Sequence, residues 1–169
     1  ADAMRWHLFT GCPPWTPRAF KEADVDEALK KFMSTVYNVY GFFVMYANLS
    51  DTNVLEGESS IADRSLMDRW IVSRLHTLNV TVRTEMENYR PTTATRAIAE
   101  FVDDLSNWYV RRSRDRFWGT EELADQQFAY MTLYEVLVTV AKLLAPFTPF
   151  LAETIFRNLV CSLDASAPE

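Results

Sequence analysis

The sequence predicts an all-α protein, an antiparallel bundle of four to five helices, and three observations carry that expectation. Apolar residues recur at three- and four-residue steps over long stretches, the period of a helix that buries one face. Only 4 glycines in 169 residues leave little of the turn chemistry an all-β chain needs. The 7 prolines fall mostly at the ends of the periodic stretches, where they stop or start helices. Hydrophobic content of 49% with 14% aromatics, in a chain of 169 residues, suits one domain with one sizeable core.

Ala1 to Phe9 reads as a short helix, with Met4, Leu8 and Phe9 at helical spacing beside Trp6, ended by Gly11 and Pro13-Pro14. Gly11 to Pro17 is extended, because residues before proline avoid the α region, and its Trp15 is expected to insert into another element. From Ala23 to Leu49 the residues Val25, Leu29, Phe32, Val36, Tyr37, Tyr40 and Phe43 trace one long amphipathic helix. Ser50 to Ala62 breaks the period with Asp, Thr, Asn, Gly and Ser and reads as a linker.

Ser65 and Asp68 form an S-x-x-D start signal for a helix through Ile71, Leu75, Leu78 and Val82 to about Tyr89. Pro91 fits the first turn of the next helix, which runs to Trp118 and stops at Gly119. After an acidic connector from Thr120 to Asp125, a helix from Phe128 to Leu144 is apolar on most sides and is expected at the centre. Pro146 ends it. Thr148 and Pro149 then supply an N-cap and a first helical residue for a last helix to about Leu163, followed by a frayed tail.

A net charge of -6 argues against a generally basic coat, so any polyanion contact must be a local basic face. Cys12 and Cys161 stand far apart and in no CxxC, which indicates neither a zinc site nor a disulfide framework and suits a reducing, cytoplasmic setting. No run of 18 apolar residues and no leader segment is present, so no membrane partner is expected. Neither His7 nor His76 follows a Glu by three positions, as a di-iron bundle requires, and neither has a Gly-rich turn beside it. With no Gly-rich phosphate loop either, the chain is expected to hold no catalytic residue, no metal ligands and no cofactor of its own. Starting at Ala1 inside a helical run, it reads as a piece of a longer protein.

One stretch sorts acid, aromatic and arginine along a single helix. In Phe101 to Trp118, Asp103 and Asp104 come first, then Asn107, Trp108 and Tyr109, then Arg111, Arg112, Arg114 and Arg116. At about 100° per residue, Ile98, Phe101, Val102, Leu105 and Tyr109 fall within roughly 60° of Leu105, and Arg112 and Arg116 land inside that stripe. Those two arginines are therefore expected to be buried and structural, with Glu135 and Glu153 as partners. Asn107, Trp108, Arg111, Arg114 and Trp118 spread over a different face, on which Trp108 and Arg111 lie about 60° apart and Arg114 and Asn107 extend the surface. A flat aromatic beside a guanidinium stacks an unpaired base and takes a phosphate or base edge. Acids at the start and bases at the end of a helix also complement its dipole, so the run has a structural reading as well.

Asn-Trp-Tyr-Val-Arg-Arg-Ser-Arg at Asn107 to Arg114 resembles the anticodon-binding helical domain of the isoleucyl-tRNA synthetase family. Ala1 to Leu8, Pro13 to Pro17, Tyr37 to Phe43, Asp68 to Leu75 and Leu143 to Glu153 continue the resemblance in order, over nearly the whole chain. The last of these is shared among class I synthetases for branched aliphatic amino acids, whereas the arginine run is the isoleucine-type signature. The resemblance implies a parent enzyme that uses ATP to charge isoleucine tRNA, with its catalytic domain outside this chain. It divides the chain into a connecting segment at 1–22, the anticodon-binding domain at 23–163 and a tail at 164–169. It points to Trp108 and to Asn38 on the first long helix as anticodon contacts, with isoleucine tRNA and the parent's catalytic domain as partners. The alternatives are the same domain from another class I synthetase such as the valyl enzyme, a helical protein-interaction module, and a small free-standing enzyme with a polar pocket in its bundle.

Overall fold

The chain is described from a computed structural model over residues 1–17, 19–50, 60–118 and 123–162. Within them it forms six helices and no strand: α1 at Asp2–Gly11, α2 at 22–47, α3 at Leu66–Glu87, α4 at 91–118, α5 at Leu123–Leu144 and α6 at 149–161. Most of the Ser50 to Ala62 linker, Gly119 with the head of the acidic connector, and the 164–169 tail lie outside the described residues.

Local chemistry accounts for the helix ends. Ser65 accepts from the Asp68 N–H while the Asp68 carboxylate accepts from the Ser65 N–H, the reciprocal pair anticipated at the head of α3. α3 ends at Glu87; Tyr89, two residues on, has a left-handed φ of 58°, and the short turn before Pro91 folds α4 back against α3. Thr148 stands at the N-cap of α6 as expected, but its hydroxyl makes no cap bond. The Leu151 N–H is met instead by the Asp2 carboxylate at 2.8 Å, so the first helix caps the last.

α5 is the central rod. Ala129, Leu133, Val136, Val140 and Leu144 are buried on it, as its apolar circumference foretold, and α2, α3, α4 and α6 all pack against it. α1 belongs to the same core. Trp6 stacks flat on Phe32 with ring centroids 3.6 Å apart, and Phe9 meets Phe147 edge-on at 5.2 Å. Arg96 of α4 donates to the carbonyls of Thr10 and Gly11, closing the C-terminus of α1.

The structure corrects several packing expectations. Met4, Leu8, Leu29 and Tyr37 are exposed; on α1 it is Trp6 and His7 that turn inward. Trp15 does not insert into a neighbour and is 73% exposed, since the proline-bound segment carries it over the α3–α4 turn rather than into the bundle.

Candidate nucleic-acid interface

α4 carries the candidate site, and its backbone departs from a regular α-helix where it matters most. Leu105–Val110 is a π-helical turn, with the Arg111 N–H reaching back five residues to the Ser106 carbonyl. Such a turn admits one extra residue, so every side chain after it is set back by about 100° from a uniform count. The buried positions follow the shifted phase: Leu105 and Tyr109, then Ser113 and Phe117 instead of 112 and 116.

This shift separates the two arginines assigned to the core. Arg112 is exposed, and its guanidinium lies over the Trp108 ring at 4.6 Å, so its expected burial against a carboxylate does not hold. Arg116 moves to the flank of the stripe with its side chain 16% exposed, and it is paired, though not with Glu135 or Glu153. Its Nη1 and Nη2 donate to Asp68 at 2.9 and 2.7 Å, and its Nε and Nη2 donate to Asp125 at 2.7 Å each. Glu135 is taken by Arg64 and Glu153 by Arg157.

In the sequence Asp68 marks a helix start and opens one stretch of the resemblance, with no sign of a partner; in the structure it anchors this region. Its side chain is 0% exposed and accepts from Ser65 Oγ, Tyr109 Oη and both Arg116 nitrogens. Burial pushes its carboxyl upward, but the bonds from Arg116, Tyr109 and Ser65 outweigh burial and hold it below the usual carboxylate range. Burial, reinforced by the Asp68 charge, drives the Tyr109 phenol well above its usual range. A signal was available: Asp68 sits at i of an i, i+3, i+4, i+7 stripe with Ile71, Val72 and Leu75, so the period that buries those residues buries an acid with them.

The acidic half of the run is held to α3. Arg74 donates to Asp104 at 2.6 Å and to Glu100 at 3.2 Å, and the Asp104 bond is the main cause raising the Arg74 pKa. Asp103 instead accepts from Asn107 Nδ2 at 2.7 Å.

Of the residues proposed for nucleic acid, Asn107, Trp108, Arg111, Arg114 and Asn38 are all exposed. They do not form one patch of the expected composition. Trp108, 49% exposed, pairs with Arg112 rather than Arg111. The Arg114 guanidinium lies 5.8 Å from both the Phe42 and the Trp118 rings, and Trp118, 48% exposed, leans on Tyr46 with centroids 5.6 Å apart. α4 therefore presents two aromatic–arginine stations, Trp108/Arg112 and Trp118/Arg114, the second built jointly with α2. No sequence period reveals the second, because Phe42 and Tyr46 reach it from another helix. Arg111 makes no hydrogen bond, ion pair or ring contact among the described residues.

Elsewhere, a surface cleft of about 360 Å³ is lined by Trp6, His7, Asp24, Glu27, Lys31 and Arg96. Its Lys31 bonds Glu27 and its Arg96 bonds the α1 carbonyls. Among the described residues no three His, Cys, Asp or Glu side chains converge as metal ligands, and no helix is long and apolar enough to cross a membrane.

Residues 68–167 match the anticodon-binding domain of tRNA ligase, and the chain belongs to that family. Its curated relatives include isoleucine–tRNA ligases. That of Clostridium novyi is 51% identical over 169 residues, all of this chain and 16% of the relative, and that of Clostridium tetani is 50% identical over the same extent. The Dehalococcoides mccartyi enzyme is 49% identical, with the whole chain again covering 17% of it. The chain thus spans about one sixth of the relatives it matches. The apo methionyl-tRNA synthetase of Mycobacterium tuberculosis superposes on 91% of this chain, covering 31% of its own, with a TM-score of 0.66 at 20% sequence identity, which makes the fold common to both.

Proposed function

We propose that the chain is the part of an isoleucine–tRNA ligase that grips the anticodon stem and loop of isoleucine tRNA. It positions that tRNA for ATP-dependent charging by a catalytic domain outside residues 1–169. On this reading 23–163 is the anticodon-binding unit, 1–22 leads from the catalytic domain, 164–169 is a tail, and the parent enzyme works in the cytoplasm. The observation that supports it best is the pair of exposed tryptophans on α4, each with an arginine against its ring. An indole offers an unpaired base a stacking surface, and the adjacent guanidinium supplies charge for the backbone. Arg111 adds an exposed positive charge on the same helix with no partner among the described residues, and Asn38 adds an exposed amide on α2. Binding by a chain of net charge -6 must come from such a local face.

The test is titration of the folded chain with an isoleucine tRNA anticodon stem-loop over a series of salt concentrations. Arg111→Ala and Arg114→Ala should each weaken binding and lower the salt slope by about one, with the melting temperature nearly unchanged. Absence of any salt-dependent association by a folded chain would overturn the proposal.

A further inference from the structure

The regular part of α2, Ser34–Ala47, carries Gly41 at its middle. Glycine weakens a helix interior more than any residue but proline, because the unfolded chain gives up more conformational freedom there than at alanine. Nothing inside the chain offsets that loss. The backbone is ordinary α-helix, and a Cβ at position 41 would meet no atom within 4 Å outside its own helix turn among the described residues. Bulk stands on both sides of the gap: Tyr37 and Asn38 one turn before it and Met45 one turn after it share its face, and all three are exposed. Gly41 is thus a notch one side chain wide in an otherwise bulky surface.

The helix around the notch is free of negative charge. No Asp or Glu occurs in the sequence between Glu27 and Asp51, in a chain of net charge -6. Phe42, the next residue, has the Arg114 guanidinium 5.8 Å from its ring. Bare backbone, no acid and an arginine at the neighbouring residue suit a polyanion that comes in close. Resting on the nucleic-acid reading above, we propose that the notch at Gly41 is a close-approach seat for the sugar–phosphate backbone of the bound RNA. Such contacts place a strand and read no base. The missing side chain lets the strand lie against α2, and any side chain in its place holds the strand off.

The test titrates the folded chain and its Gly41→Ala and Gly41→Leu variants with the isoleucine tRNA anticodon stem-loop, and melts each protein alone. Both variants should melt about 2–4 °C above the wild type, because alanine and leucine are better helix formers and the space at 41 is open. Both should bind the stem-loop more weakly, Gly41→Leu by roughly 10-fold or more and Gly41→Ala by less, as bulk forced into a close contact does. The salt slope should stay that of the wild type, since no charge is removed. A gain in stability joined to a loss of affinity is a result that a purely structural glycine does not give. Wild-type affinity in Gly41→Leu overturns the proposal, and so does a lowered melting temperature in Gly41→Ala, which would give the glycine a role inside the fold. A salt slope lowered by these substitutions traces the loss to displaced arginines and overturns the seat at 41. A folded wild-type chain with no salt-dependent association overturns the nucleic-acid reading itself, an outcome distinct from binding that is indifferent to position 41.

Discussion

Replacing Asp68 by alanine should destabilise the chain by about 4 kcal/mol, the low end for breaking a buried ion pair plus one lost hydrogen bond. Asp68 is 0% exposed and receives four side-chain donors, from Ser65, Tyr109 and Arg116 twice. Removing one partner of a buried pair costs about 3–5 kcal/mol, because the other charge is left without compensation. Here Arg116 keeps Asp125 at 2.7 Å and is 16% exposed, which sets the loss near the bottom of that range. The buried Tyr109 hydroxyl loses its acceptor, with Thr132 still beside it, for about 1 kcal/mol more. At about 2–4 °C per kcal/mol for a chain of this size, the melting temperature should fall by roughly 8–16 °C in a thermal scan followed by circular dichroism. A fall under about 3 °C would refute the claim that this acid anchors α3 to the end of α4.

Acid provides the same test without mutation. The folded Asp68 carboxyl lies below the ordinary value of 3.8, so its ionised form is favoured by folding. That contribution is fully present above the unfolded value and is lost as pH falls through the folded one. Wild-type stability should therefore drop as pH falls below about 4, and Asp68→Asn should show a flatter curve over that interval.

Three smaller changes probe other features. Ser113 has a buried hydroxyl with no hydrogen-bond partner among the described residues, so Ser113→Ala should be neutral or stabilising by up to about 1 kcal/mol; a clear loss in urea melts would imply a bond that this packing lacks. Tyr89 sits at φ 58°, and Tyr89→Gly should relieve strain and raise the melting temperature by a few degrees, on the order of 1 kcal/mol. Asp2→Ala removes the acceptor for the Leu151 N–H and should cost about 1 kcal/mol, with amide exchange quickening at the head of α6.

The helices were legible because apolar period and proline placement are local signals, and Ser65/Asp68 and Pro91 marked their starts where the structure has them. Burial within a helix was legible only while the helix stayed regular. The wheel orders Ile98 to Tyr109 well and then misplaces Arg112, because a π-turn leaves no mark in composition. Partners across helices were less legible still. Glu135 and Glu153 were reasonable acids for a buried arginine, but the acid that meets Arg116 was one already assigned to a cap. Trp118 was set on the outward face with Arg114, but its contact with α2 stayed hidden because Phe42 and Tyr46 come from some seventy residues away along the chain.

The π-turn in α4 also governs how relatives can be compared. A helix containing it has two phases, one on each side of Leu105–Val110, and they are joined by a single surplus residue. A homologue lacking that residue would keep the same length of helix and a similar run of arginines, yet would turn a different subset of them outward. Roles assigned to Arg111, Arg112, Arg114 and Arg116 pass to such a relative only if positions are counted back from the Phe117 anchor, not forward from Leu105. One inserted residue, absorbed without a loop, is enough to rewrite which charges a helix shows.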